Sequence, residues 1–208
     1  MNKRLLVYSA LVAFLLMAAS MAFFDKALAT FAYTSGGRSS VVLQGGTRIL
    51  EVASGFPISR YALSFALLAV AAALAAWRST RHAAWLVLFV GSSQLATRLI
   101  VSALKETFGR LRPFEVIANG TWDPHAFFQH GNAFPSGHTA HFWGLFFPLA
   151  FLFPRYRWPL LIVPFFIAVA RVGVNDHWCS DVVGSIGIAA LVTLLFVWLF
   201  RIVPRAQR

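Results

Sequence analysis

The run from Leu5 to Phe24 holds no charged residue and is as long as the roughly 20 apolar residues that one membrane crossing requires. In hydrocarbon every backbone N–H and C=O must be paired within the segment, so such a run has to be helix. Composition extends the constraint to the whole chain. Of the 208 residues, 59% are apolar and 12% charged, against roughly 45–50% and about 25% in a soluble domain. Mean hydropathy is +0.70. About six crossings would use roughly 120 residues and leave loops too short for a second domain. Intrinsic disorder is excluded by the apolar content, and a disulfide scaffold by the single cysteine, Cys179.

Lys3 and Arg4 precede the first run, and Ala27-Leu28-Ala29 mimics a small-x-small cleavage site. A signal-peptide core, however, is only about 7–15 residues, so an uncleaved first span over about 5–24 is expected. Residues 25–55, with Gly36, Gly37, Gly45 and Gly46, read as an exposed loop in which Val41–Val52 could lie along the interface. Pro57 opens a second span over about 57–77, in a position that a first helical turn tolerates. A third covers about 83–104 and carries Arg98, whose burial in hydrocarbon is costly without a partner or water. After a polar connection over 105–137, three further spans fall at about 138–153, 158–173 and 182–203. The expectation is an all-α, six-transmembrane-helix bundle forming one domain over 1–208.

The charges orient it. With the N-terminus inside, the inner segments hold nine basic residues (Lys3, Arg4, Arg78, Arg81, Arg155, Arg157, Arg201, Arg205, Arg208) and no acidic one. All seven acidic residues (Asp25, Glu51, Glu106, Glu115, Asp123, Asp176, Asp181) fall on the outer half. By the positive-inside rule both termini are cytoplasmic. The net charge of +11 is then mostly topology signal. Nucleic-acid binding has no supporting stripe or motif.

Three polar segments meet on the expected outer face. Lys105, Arg112 and Arg171 are cations where helices end, a natural cradle for a phosphoryl group. Pro135-Ser136-Gly137 precedes a helix whose N-terminus adds anion-binding donors, and Gly137 permits close backbone approach. His177 and Asp181 are four apart, expected on one helical face, so that the carboxylate accepts from one imidazole nitrogen and leaves the other nucleophilic. His138, from another helix, could give a proton to a leaving group. Together these suggest phosphoryl transfer through a phosphohistidine.

Lys105-x6-Arg112-Pro113, Pro135-Ser136-Gly137-His138 and Arg171-x5-His177-x3-Asp181 resemble the three-part signature of the type 2 phosphatidic acid phosphatase superfamily. The resemblance implies that His177 attacks phosphorus, with Asp181 orienting it. His138 would then protonate the departing group and assist the hydrolytic water. It further implies that Lys105, Arg112, Ser136, Gly137 and Arg171 hold the phosphate oxygens, with no metal or other cofactor. The implied partner is a phosphorylated lipid in the bilayer: phosphatidylglycerol phosphate, phosphatidic acid, undecaprenyl diphosphate or lipid A 1-phosphate. The implied place is the bacterial inner membrane, with the site facing the periplasm or exterior. Phe108–Pro113 also resembles bacterial lipid A 1-phosphatases. The stretch Asp176–Cys179 is less usual for the family, and Trp178 is expected to shape a headgroup pocket.

The polar residues outside these motifs have blander readings. Gln94, Arg98, Ser102 and Lys105 form a polar stripe, expected to be a packing network; the sharper reading has Arg98 supporting Lys105 or meeting a second substrate phosphate. Arg110 has no motif position and is expected to be solvated or at a lipid headgroup. Asp123, His125, His130, His138, His141 and His177 match no familiar metal spacing. His141 reads as packing, and Cys179 lacks an activating histidine. Ser180/Gly184 and Ser185/Ala189 read as small pairs that let helices approach. The rival functions are a lipid phosphotransferase, which passes the phosphoryl group to a second lipid, and a transporter.

Overall fold

The computed structural model describes residues 2–121 and 123–203; Arg205 and Arg208, two of the inner basic residues, lie outside the described residues. Every regular element among the described residues is helical. The helices are α1 Lys3–Ala19, α2 Asp25–Thr34, α3 Val41–Ala53, α4 Ala62–Ala75, α5 Arg81–Phe108, α6 Pro113–Ala118, α7 Gly137–Leu152, α8 Arg157–Gly173 and α9 Cys179–Leu199. A π-turn over Ser20–Phe24 joins α1 to α2, so Lys3–Thr34 is one apolar helix of 32 residues. Together with it, Arg78–Ala118, Pro154–Gly173 and Cys179–Leu199 are long and apolar enough to cross a membrane.

Of the remaining two apolar helices, α4 is shorter than the expected span and α7 matches it in length. Residues 57–61 form turns on Gly55, whose φ of 69° bends the chain and whose carbonyl accepts from Ile58 and Ser59. Pro57 therefore lies in a turn, and α4 has 14 residues, about 21 Å at 1.5 Å per residue. Helix α7 has 16 residues.

α7 and α9 form the centre, each packed against α5 and α8, with α1 laid along α9 and α4 along α5. Leu6, Phe89, Phe147, Phe151, Ala190 and Val197 join the main apolar cluster. These residues come from the N-terminal halves of α1 and α5 and the C-terminal halves of α7 and α9, so the apolar core occupies one end of the bundle. Small residues of α9 admit large neighbours: a Cβ on Gly187 would lie 3.0 Å from the Phe14 ring. Buried polar side chains gather at the other end.

Residues 25–55 are not an exposed loop. Asp25 is 1% exposed, and Ser40 caps α3 by accepting from the Leu43 N–H at 3.3 Å. Glycines there serve close packing: a Cβ on Gly37 would lie 2.0 Å from the Gly173 carbonyl oxygen. Helices α2 and α3 thus pack on α8 beside the polar end.

Candidate active site

The polar end is where α5 and α8 finish and α7 and α9 begin. Gly109, with φ 46°, stops α5 while its N–H still reaches the Lys105 carbonyl at 3.0 Å. The chain then turns back as Arg110-Leu111-Arg112 beneath the loop that precedes α7. Lys105 Nζ donates to the Asn132 carbonyl and, at 3.5 Å, to that of Ala133. Arg112 Nε donates to Asn132 Oδ1 at 2.7 Å. Ser136 caps α7, its hydroxyl accepting from the Thr139 N–H at 3.5 Å and from Thr139 Oγ1 at 2.9 Å. Arg98, buried beneath the site, donates to the Gly137 carbonyl. The rest of its stripe is a packing network: Gln94 joins Ser64 and His141, and Tyr61 donates to Ser102 at 3.2 Å.

His177 is 2% exposed. Its Nδ1 lies 2.8 Å from the Ala133 carbonyl, so Nδ1 carries the proton and Nε2 keeps its lone pair. Burial, followed by the charges of Lys105, Arg171 and Arg112, holds this imidazole well below its usual 6.5, and it is neutral at pH 7. The expected hydrogen bond to Asp181 is absent: Asp181 Oδ2 stands 3.7 Å from Nδ1. His177 precedes α9 rather than sharing its face, and Asp181 is the third residue of that helix. Its Oδ2 accepts the Trp178 N–H at 2.9 Å and its Oδ1 accepts from Arg110 at 2.5 Å. The carbonyl of Ala133, not the carboxylate, orients the histidine.

Arg110 is likewise not solvated. It is fully buried; besides Asp181 it donates to Ser180 Oγ and to Asp25 Oδ2, both at 2.8 Å. Asp25 also accepts the Ser180 N–H at 2.9 Å, which gives Ser180 a polar role instead of a helix-packing one. Phe127 and Trp178 lie 4.7 and 5.1 Å from the guanidinium, within cation–π range. Trp178 is 1% exposed, donates Nε1–H to the Leu111 carbonyl at 2.9 Å and lies against Arg110. Cys179 accepts from Ser20 at 3.5 Å.

Two residues outside the motifs, Glu51 and Arg38, approach from the α2–α3 segment. Glu51 Oε1 lies 2.6 Å from His138 Nε2, and the His138 ring stacks on Phe56 with centroids 4.5 Å apart. That hydrogen bond holds the Glu51 carboxyl below its usual 4.5 against the opposing effect of burial. Arg171 donates to Asp176, and Asp176 Oδ1 lies 3.8 Å from both Arg112 and Arg38. Three guanidinium groups therefore surround one carboxylate. No periodicity or motif marks Glu51 or Arg38, since each meets its partners only through the packing of α2 and α3.

Residues 82–205 match the family model described as the PAP2 superfamily. A lipid A 1-phosphatase of Rhizobium johnstonii is 29% identical over 121 residues, covering 57% of this chain and 50% of that protein. The undecaprenyl-diphosphatase BcrC of Bacillus subtilis is 29% identical over 110 residues, 53% of this chain and 55% of its own. A lipid A 1-phosphatase of Porphyromonas gingivalis is 33% identical over 114 residues, 51% of this chain and 22% of its own. The chain thus spans about half the length, or less, of these curated relatives. No solved structure matches it significantly.

Proposed function

The chain belongs to the PAP2 superfamily, and from that membership we propose that it is a membrane lipid phosphatase acting through a phosphohistidine at His177. The observation that carries this reading is the state of His177: neutral, held at Nδ1 by the Ala133 carbonyl, and set among Lys105, Arg112 and Arg171. Nε2 attacks phosphorus, the bond to the lipid oxygen breaks, and His138 protonates that oxygen as it leaves. The same histidine then takes a proton from the water that attacks the phosphohistidine, releasing inorganic phosphate. Lys105, Arg112, Arg171, Ser136 and the first turn of α7 at Gly137 hold the phosphate oxygens, whose charge grows in the transition state. Asp181 and Arg110 fix the start of α9, and with it the histidine. The scheme uses no metal. Arg98 positions Gly137 from below.

The substrate is an amphiphile whose chains remain in the bilayer: phosphatidylglycerol phosphate, phosphatidic acid, undecaprenyl diphosphate or lipid A 1-phosphate. The names of the relatives support the last two classes. We assign α4 and α7 as the two short crossings of a six-span bundle, α7 at its centre and α4 laid along α5. The site then faces the periplasm or exterior, because Lys3, Arg4, Arg78, Arg81, Arg155, Arg157 and Arg201 all sit at the opposite helix ends.

Phosphate release by the detergent-purified protein across these lipids tests the reading. His177→Ala is expected to lower kcat by at least about 10³-fold, with His138→Ala impaired as well. Failure to release phosphate from every lipid phosphate and diphosphate offered would exclude the phosphatase.

A further inference from the structure

Residues 25–55 lie outside the stretch that matches the family model, yet they form one wall of a cavity. The cavity, of about 490 Å³, lies between α3 and the end of α8. Its α3 wall carries Thr47, Arg48 and Glu51, spaced to share a helical face. Arg38 lines it from the turn before α3, and Arg171 and Asp176 line it from the phosphate site. Arg171 is thus common to this cavity and to the cations around His177.

Two observations point to an anionic ligand. The first is an unmet hydrogen-bonding capacity. Thr47 Oγ1 and Arg171 Nε belong to lining residues, are buried, and have no hydrogen-bond partner among the described residues. Buried polar atoms are seldom left so, and both belong to residues that line the cavity. The second is the position of Asp176, whose carboxylate sits among Arg171, Arg112 and Arg38. The protein thereby fills with its own carboxylate a place built for an anion. Glu51, the other acid of the lining, is already engaged by His138 at 2.6 Å and Arg48 at 3.4 Å.

We propose that this cavity is a second anion subsite, in which Arg38 and Arg48 hold the phosphate that is not transferred from a lipid diphosphate. The proposal rests on the phosphatase reading and narrows its substrate class to diphosphate esters. His177 Nε2 forms a bond to the terminal phosphorus while the bridging P–O bond breaks. The electron pair of that bond leaves on the lipid monophosphate, which gains a negative charge beside Arg38 and Arg48. A phosphate monoester has a second pKa of about 6, so this leaving group departs at neutral pH without a proton. Water, giving its proton to His138 and thence to solvent, then hydrolyses the phosphohistidine and releases inorganic phosphate. A monoester substrate has no second phosphate and leaves the cavity to water.

The test compares farnesyl diphosphate with farnesyl monophosphate as substrates of the purified full chain and of Arg38→Ala, Arg48→Ala and the double variant. Both side chains are more than half exposed, at 53% and 66%, so truncation spares the fold. The double variant is expected to lose on the order of 100-fold in kcat/KM for the diphosphate, as befits two charge-assisted hydrogen bonds. Monophosphate turnover should stay within about two-fold. Equal losses on the two substrates, or no loss on either, would overturn the subsite. Calorimetric binding of methylenediphosphonate and of inorganic phosphate gives a readout independent of turnover. The diphosphonate should bind on the order of ten-fold tighter, and the double variant should erase that advantage. Equal binding of the two anions overturns the subsite. Absence of turnover from either lipid with that preference intact instead overturns the phosphatase reading and leaves the subsite in place.

Discussion

Arg110 is fully buried, and its guanidinium joins Asp25, at the first turn of α2, to Ser180 and Asp181 at the start of the last helix. Removing one partner of a buried ionic cluster strands the others, at a cost of about 3–5 kcal/mol. Arg110→Ala leaves two buried carboxylates uncompensated and is expected to lower the melting temperature in detergent sharply. Arg110→Lys, which cannot bridge both acids with a planar fork, should fall between it and wild type. A melting temperature unchanged in Arg110→Ala would show that the cluster contributes nothing net. The local signatures singled out Lys105, Arg112, Ser136, Gly137, His138, Arg171, His177 and Asp181 because each motif is short, and the fold brings them to one end of the bundle. Arg110, Glu51 and Arg38 carried no such mark. Arg110 meets Asp25 from 85 residues away and His138 meets Glu51 from 87, and no spacing rule spans such a distance.

Helix α3 is tied to α7 at its C-terminal end by Glu51 and His138, and that tie is sensitive to pH. A carboxyl held below its usual 4.5 contributes stability above the unfolded value, and that stability is lost as pH falls through the lower folded value. Hydrogen exchange of the α3 amides should therefore accelerate as pH is lowered below 4.5, beyond the intrinsic change in exchange rate. Glu51→Gln should exchange fast already at neutral pH and show no further pH-dependent loosening. The long apolar helices were legible from composition, because hydrocarbon leaves a chain no other backbone. The α2–α3 segment was not. Its Gly and Ser residues read as loop, whereas Ser40 caps a helix and Gly37 is there to let two backbones meet. The π-turn over Ser20–Phe24 is equally silent in sequence. It precedes Asp25 and passes the first helix on to α2 without a break.

The molecule as a whole has two unlike ends: an apolar core beneath a basic rim at one, and buried ions around the site at the other. Its proposed orientation can be read directly. In a Cys179→Ala background, Ser79→Cys and Asn119→Cys place single exposed thiols at opposite ends. A membrane-impermeant maleimide should label residue 119 in intact spheroplasts and residue 79 only after the membrane is broken; the reverse pattern would invert the topology. The ion cluster also bears on how the protein is made. Asp25 emerges early from the ribosome, but Ser180, which it binds, is 155 residues further along, and Asn175, which holds the Ala29 carbonyl, is 146 beyond its partner. Until the last helix has been synthesised, Asp25 lacks the Ser180 and Asn175 end of the packing around it, and the polar end cannot close. A chain interrupted before α9 therefore carries at Asp25 a carboxylate without the Ser180 donors that accompany its burial in the finished protein.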